Sequence, residues 1–287
     1  MKTSENKFKI LLIGEECLDV FVYGECKRLC PEAPVPIFNP IKIKSNLGMA
    51  GNTLNNFISL SGGDKNFQID YIKNQNEMKK VRYIDERSGQ QIIRVDENDK
   101  CGRLQIENII DVILEMKHDA LIVSDYCKGL LKEEDIESLS NAIHKGGGLV
   151  FMDTKKILGN WSKEINFVKI NEKEYLDNIK VNKNPETFCK NLIITLGARG
   201  CKMLTNIQDT EAECDGLKSE VREVSGAGDT FFAAFILNFL QTKNIASSLF
   251  KANLAASIAV SHRGVVAVDK ADVDAKYNLI TQNNSVI

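Results

Sequence analysis

The sequence predicts an α/β fold: a mainly parallel β-sheet with helices on both faces, and a small second sheet outside it. Three observations carry that expectation. Short runs rich in Ile, Leu and Val, each ending in polar residues or glycine, recur along the chain, which is the pattern of strands buried on both faces. Between them lie segments of helical periodicity, and strand alternating with helix implies crossover connections and parallel pairing. Two stretches broken by proline or glycine interrupt the alternation and form the small sheet.

The elements follow in order. Phe8 to Gly14 is the first buried strand and Gly51 to Leu60 the first helix. Pro34 to Lys44 reads as an extended edge strand, because Pro34, Pro36 and Pro40 withhold donors that a central strand needs. Phe67 to Ile72 is a further strand, and Lys79 to Val95 reads as two alternating strands around Ser88-Gly89. Buried strands then come at Asp119 to Ser124, Gly148 to Asp153, Phe167 to Ile170 and Asn191 to Leu196, with helices at Leu104 to Lys117, Glu133 to Lys145 and Glu172 to Ile179. Thr230 to Leu240 and Ala246 to His262 read as two buried helices, the second rich in Ala and Ser for close approach. Asn278 to Ile287 is polar and expected to fray. One domain over residues 1–287 is expected, with a discontinuous lid from residues 34–44 and 79–97. A small sheet cannot bury both faces by itself, so this lid is expected to cover the active site, to pair with a second chain, or both.

Composition narrows the function. Hydrophobic residues make up 43% of the 287, enough for a sizeable core. Thirty-seven basic against thirty-nine acidic residues give a net charge of −2, so no global field favours nucleic acid or membrane, and any anion must be met by a local site. Met1 to Lys7 is polar and lacks the apolar core of a signal peptide, and no apolar run is long enough to span a bilayer. The eight cysteines include no CxxC pair, which points to reduced thiols in a cytoplasmic protein. His118, His144 and His262 share no ligand-like spacing.

Chemistry concentrates in Glu223-Val-Ser-Gly-Ala-Gly-Asp-Thr230, which runs straight into the apolar segment Phe231 to Leu240. Two glycines around an alanine allow a tight turn and close approach to a ligand, and the first N–H groups of the following helix have no internal partner. That is an anion site. A fixed negative charge at Asp229 beside a bound phosphate is unfavourable unless it has a proton to take, so the economical reading is phosphoryl transfer to a hydroxyl. The P-loop, the Rossmann G-x-G-x-x-G, the G-x-S-x-G elbow and H-E-x-x-H are all absent. A G-A-G-D tetrapeptide alone is also an ordinary helix-entry turn, and its companions must decide.

With those companions the sequence resembles the carbohydrate kinases of the ribokinase (PfkB) superfamily over nearly its whole length. Ser225-Gly-Ala-Gly-Asp229 matches that family's C-terminal signature, Asn171-Glu-Lys-Glu174 looks like its N-x-x-E motif, and Thr195-Leu-Gly-Ala-Arg-Gly200 resembles its nucleotide-binding turn. The resemblance implies a ribokinase-like three-layer α/β/α sandwich with a small β-sheet lid. It implies that Gly226, Ala227 and Gly228 form the anion hole and that Asp229 deprotonates the acceptor. Asn171, Glu172, Lys173, Glu174, Thr195, Gly197 and Gly200 would hold the nucleotide, with Asn253 at the adenine. ATP and Mg2+ follow as expected ligands, Glu174 organising the metal directly or through water. Taken singly, Asn171 to Glu174 is also a plain helix start, and Gly197 and Gly200 plain turn glycines.

The N-terminal third looks like one branch of that superfamily, the D-glycero-β-D-manno-heptose 7-phosphate kinases. The residues that carry this are Gly14-Glu-Glu-Cys-Leu-Asp19, Tyr23-Gly24, Arg28-Leu-Cys-Pro-Glu-Ala-Pro-Val-Pro36, Gln91 to Asp96, Val123-Ser-Asp-Tyr-Cys-Lys-Gly129 and Asp153-Thr-Lys155. By that resemblance Asp19 and Asn52 hold sugar hydroxyls, with Gly48 beside them, and Arg28, Lys128 and Lys155 are candidates for the substrate's own phosphate. For Arg28 and Lys128 a solvated surface charge is an equal reading. The sequence departs from the pattern in three places. Met49 replaces the second glycine before Asn52, and Glu223 and Glu15 replace aspartates. Only eighteen residues, Gly63 to Lys80, stand where the family has further strands and a helix, so one flank of the main sheet is expected to lose an element. The expected activity is ATP-dependent phosphorylation of the anomeric hydroxyl of a heptose 7-phosphate. Another sugar or sugar phosphate as acceptor, and a catalytically silent binding protein, are the alternatives. No fused nucleotidyltransferase is expected, and a homodimer through the lid sheet is.

Overall fold

Apolar side chains on both faces fit strand β1 (Phe8–Gly14) for the interior of a mainly parallel sheet, with Ile10, Leu11, Leu12 and Ile13 all buried. The computed structural model describes residues 7–205, 212–262 and 264–284. Beside β1 lie β4 (Phe67–Lys73) and β7 (Ala120–Asp125), followed outward by β8 (Leu149–Thr154), β9 (Phe167–Asn171) and β10 (Asn191–Thr195), all parallel. Strands β11 (Gly200–Thr205) and β12 (Ala212–Asp215) extend that side antiparallel, giving the order β12-β11-β10-β9-β8-β7-β1-β4.

Period-two alternation splits the core into two layers. Ile10, Leu12, Ile122, Phe151 and Phe167 face α1 (Ala50–Ser61), α5 (Ala227–Thr242), α6 (Ile245–Ala259) and α7 (Lys270–Asn284). Leu11, Ile13, Leu121, Val123, Val150 and Val168 face α2 (Glu107–Met116) and α3 (Glu133–Lys145), with α4 (Glu172–Val181) at the edge of the same layer. Helix α5 is buried from Asp229 to Leu240, and its Phe239 ring meets Phe167 edge-on at 4.6 Å. The result is the expected three-layer α/β/α sandwich.

A second sheet of four strands, order β3-β2-β5-β6, stands off the carboxyl end of β1. It comprises β2 (Glu16–Leu29), β3 (Pro36–Met49), β5 (Met78–Asp85) and β6 (Gln91–Glu97). Two of these differ from the sequence expectation. Strand β2 was not foreseen, because its two faces serve different surroundings and no clean apolar-polar alternation survives. Strand β3 runs to Met49 rather than stopping at Lys44, and Pro40 is tolerated because β3 is an edge strand. Residues 278–284 continue α7 instead of fraying, tied down by packing of Tyr277 and Ile280 on the core; 285–287 lie outside the described residues. The short segment 63–80 holds one strand and a loop, and β4 is the last strand on that flank.

Candidate active site

The carboxyl ends of β7, β8 and β9 and the start of α5 converge on one point. Gly226 caps α5 at φ 82, a left-handed conformation that glycine adopts without strain. The turn is braced by Glu223, whose Oε1 accepts from Val224 N, Ser225 N and Ser225 Oγ, so the longer acid still reaches. Among the described residues the N–H groups of Gly228 and Asp229 have no backbone partner, as expected at a helix start.

Asp229 is 4% exposed. Its Oδ2 accepts from Asn52 Nδ2 at 2.9 Å and its Oδ1 from the Tyr126 hydroxyl at 2.6 Å. Burial pushes its pKa up to about 6, with Asp153 acting in the same direction, while Asn52, Tyr126 and Lys169 oppose. A carboxylate so tuned accepts a proton readily near neutral pH. Lys169, in the middle of β9, is buried, pairs with Asp153 at 2.8 Å, and lies so close to Gly228 that a Cβ there would come within 2.9 Å of its Nζ. Burial opposes the charge of Lys169, but Asp153, Asp229 and Glu174 together hold its pKa above the usual lysine value. An anion at the start of α5 would therefore meet an ammonium as well as N–H groups.

Asn171 ends β9 and begins α4 in a reciprocal capping box. Its Oδ1 accepts from Glu174 N at 2.9 Å, and Glu174 Oε2 accepts from Asn171 N at 2.8 Å. Glu172 pairs with Arg199, tying α4 to the turn at Gly197–Arg199. A cleft of about 460 Å³ is lined by Asp153, Lys155, Lys169, Asn171, Glu172, Lys173, Glu174, Thr195, Gly197 and Gly228. A second cleft, of about 560 Å³, shares Thr195, Gly197 and Gly228 and adds Gly200, Leu217, Val224, Asn253 and Val260. A polar compartment with cations thus opens into an apolar one, a shape suited to phosphates and a flat base.

On the other side of Asp229 lies the lid. Asp19 on β2 is buried and paired with Arg82 on β5. Gly48 permits this, because a Cβ there would stand 2.1 Å from Asp19 Oδ2. Lys80 on β5 and Lys155 after β8 both lie over the Tyr126 ring, Nζ to centroid 5.4 and 4.5 Å. The loop carrying Tyr126 is anchored by buried Glu15, which accepts from Tyr126 N at 2.7 Å and Lys128 N at 2.9 Å. The Lys128 side chain itself pairs with Asp99.

Residues 64–271 match the pfkB family of carbohydrate kinases. The chain belongs to that family. Its fold agrees: the phosphofructokinase-2 of Escherichia coli in complex with potassium superposes with a TM-score of 0.74 at 16% identity, over 96% of this chain and 99% of that one. The ribokinase of Arabidopsis thaliana complexed with ribose and ATP gives 0.69 at 15%, over 94% and 98%. In sequence the kinase is 29% identical over 308 residues to the bifunctional protein HldE of a Nitratiruptor species, covering 93% of this chain and 64% of the relative. Helicobacter pylori has an HldE that is 29% identical over 297 residues, with 89% and 63% covered. The chain thus spans a little under two-thirds of the length of these relatives.

In this pfkB-family kinase the structure brings together Asp229, Gly226, Ala227, Gly228 and Asn52, and it sets Asn171 to Glu174, Thr195, Gly197, Gly200 and Asn253 around the two joined clefts. Asn52 uses its amide on Asp229 and on Gly226 O at 3.3 Å, so it orients the carboxylate. Arg28 is not brought to the others. It is exposed near the end of β2, nine residues beyond Asp19, which is roughly 30 Å of extended strand. Sequence reasoning assigned no role to Tyr126, Lys169, Lys80 or Arg82. For Lys169 the signal was a lysine inside an otherwise apolar strand, Phe167-Val-Lys-Ile170.

Proposed function

We propose that this kinase transfers the γ-phosphoryl group of ATP to the anomeric hydroxyl of a heptose 7-phosphate, giving the 1,7-bisphosphate. The observation that carries the reading is Asp229, a buried carboxylate at the partner-free N–H groups of a helix start, with Lys169 on its nucleotide side and the Lys80–Tyr126–Lys155 stack on its lid side. One cation serves the transferring phosphate. Lys80 suits a second anion, as a phosphorylated acceptor would bring, with Lys155 between the two because it also lines the nucleotide cleft. The acceptor oxygen attacks the γ-phosphorus, the bond to the β,γ-bridging oxygen breaks, ADP leaves, and the hydroxyl proton goes to Asp229.

Mg2+ fits beside Glu174. One oxygen of that carboxylate is committed to Asn171 N, which leaves the other for the metal or its water. Among the described residues no cluster of three or more His, Cys, Asp or Glu could hold a metal alone, so nucleotide phosphates would supply most of its ligands. When bound, the metal would neutralise phosphate charge. Heptose as the acceptor is supported by the N-terminal motifs and by the distant likeness to HldE proteins. A different sugar phosphate is favoured by Met49, which sits at φ 59 and buried where the family pattern has glycine. A panel of sugars and sugar phosphates assayed for ADP release decides. Heptose 7-phosphate is expected to turn over fastest, and an inert heptose 7-phosphate beside an active hexose phosphate would give the site to the latter. Asp229→Asn is expected to lower transfer by at least about 10²-fold, the span general-base catalysis contributes, while ATP still binds.

A further inference from the structure

We propose that the Tyr126 hydroxyl takes the acceptor's place on Asp229 in the sugar-free enzyme, keeping the base from water until the phosphorylated sugar displaces it. Both carboxylate oxygens of Asp229 are occupied, Oδ2 by Asn52 and Oδ1 by Tyr126 at 2.6 Å. Each oxygen keeps a second lone pair, but with Asp229 only 4% exposed there is little room for a third donor, and the acceptor hydroxyl reaches the base most directly by replacing one of the two. Asn52 is the worse candidate. It lies within α1, its amide also binds Gly226 O, and its Oδ1 accepts from Asn56 at 3.0 Å. Tyr126 makes its bond through a side chain on a loop whose backbone is pinned by Glu15, so a change of side-chain rotamer frees the base while the loop stays in place.

The same ring carries a trigger. Lys155 from the core and Lys80 from the lid both rest over it, held by cation–π attraction in this arrangement. A sugar phosphate entering beneath the lid offers these ammonium groups a dianion, a stronger partner than a ring face. Recruiting them removes the contacts that keep the ring in place, and the sugar hydroxyl then donates to Asp229 Oδ1 in place of Tyr126. Burial, then the charges of Asp229 and Asp153, raise the phenol's pKa well above its usual value, so Tyr126 stays a donor throughout the working range. The step the latch suppresses is attack of water on the γ-phosphorus, with ADP leaving and the water's proton passing to Asp229.

This inference rests on Asp229 being the base, and its test separates the two. Tyr126→Phe keeps the ring and its lysines but removes the O–H. ATP hydrolysis without any sugar is expected to rise about tenfold or more, the factor that one hydrogen bond to a charged group represents. The acid limb of kcat/KM is expected to move to higher pH, because that bond favours the ionised carboxylate; the other groups acting on Asp229, namely Asn52, Asp153, Lys169 and Cys17, are unchanged. Adding Asp229→Asn to Tyr126→Phe is expected to remove the extra hydrolysis. In the otherwise unaltered chain, a fluorotyrosine placed at 126 is expected to shift its 19F resonance when the sugar phosphate turned over in the panel is added without nucleotide. If hydrolysis and the acid limb do not move, or the resonance is unmoved at saturating sugar, the latch is overturned while the base assignment stands. If Asp229→Asn itself retains transfer, the base assignment falls and takes the latch with it.

Discussion

The buried carboxylate of Asp229, the proposed base, carries a cost in stability, and the sign follows from the direction of its shift. With a folded-state value of about 6 against 3.8 for the free side chain, the folded protein binds this proton more tightly than the unfolded chain does. Protonation therefore supports the fold below about pH 4, and that support is lost as pH rises through 6. At pH 7.5 the buried charge costs up to about 3 kcal/mol, from 1.36 kcal/mol per pH unit. Asp229→Asn should accordingly raise Tm at pH 7.5, with the gain shrinking as pH falls from 6 to 4; thermal melts across that range check it. Activity should run the other way, since the proposed base acts only when ionised, and kcat/KM should decline below about pH 6 with Asp229 as the controlling group. At the same scale Gly48→Ala should raise the sugar KM by about tenfold or more, because a Cβ there displaces Asp19 from Arg82. An unchanged sugar KM would remove Asp19 from the acceptor site. The helix start that carries Asp229 was legible in the sequence, although such a tetrapeptide is also an ordinary helix-entry turn and only its companion motifs singled it out. Tyr126 was not: that a phenol caps a carboxylate 103 residues away is a fact of tertiary packing alone.

Under the proposed function, helix α4 would carry two duties on one side chain. Glu174 closes the capping box with Asn171 and is also the carboxylate proposed to organise the metal. Burial raises its pKa, with Lys169 and Lys155 opposing. Because glutamine completes a capping box as glutamate does, Glu174→Gln separates the duties: Tm should hold, while KM for Mg-ATP rises. Asn171→Ala breaks the cap instead and should cost about 1 kcal/mol of stability. A fall in Tm for Glu174→Gln equal to that of Asn171→Ala, with KM unchanged, would leave Glu174 a cap alone. Most parallel strands and the helices between them could be read ahead of the structure, since a strand buried on both faces leaves an apolar run and an amphipathic helix leaves a period. Strand β2 left neither. Its Asp19 and Phe21 share one face while Val20 and Val22 share the other, so both faces mix with what they touch, and only pairing with β3 and β5 defines it.

At the scale of the molecule the lid has one face turned to the site and one left over. Register assigns them. Asp19, Lys80 and Asp96 form one row, and Phe21, Arg82 and Arg94 the next, on the site face. The opposite face carries the row Ile43–Val22–Tyr83–Ile93 and beside it Val20–Val81–Val95. Ile43 and Ile93, at the ends of the first row, are 66% and 54% exposed. Val22 and Val81 inside these rows are buried, while Ile43, Ile93 and Val95 toward the rim stay exposed, an apolar edge that is a cost in water. A second copy offers the same exposed apolar edge about a two-fold axis, with the neighbouring Lys79 and Glu97 of the next row able to meet their opposites across it. Light scattering should therefore give twice the 32.1 kDa of one chain, and Ile43→Asp with Ile93→Asp should return the mass to a single chain while Tm of the main domain stays nearly unchanged. A single-chain mass for the unaltered protein at tens of micromolar, where an interface of ordinary size is formed, would mean that this face has no such partner.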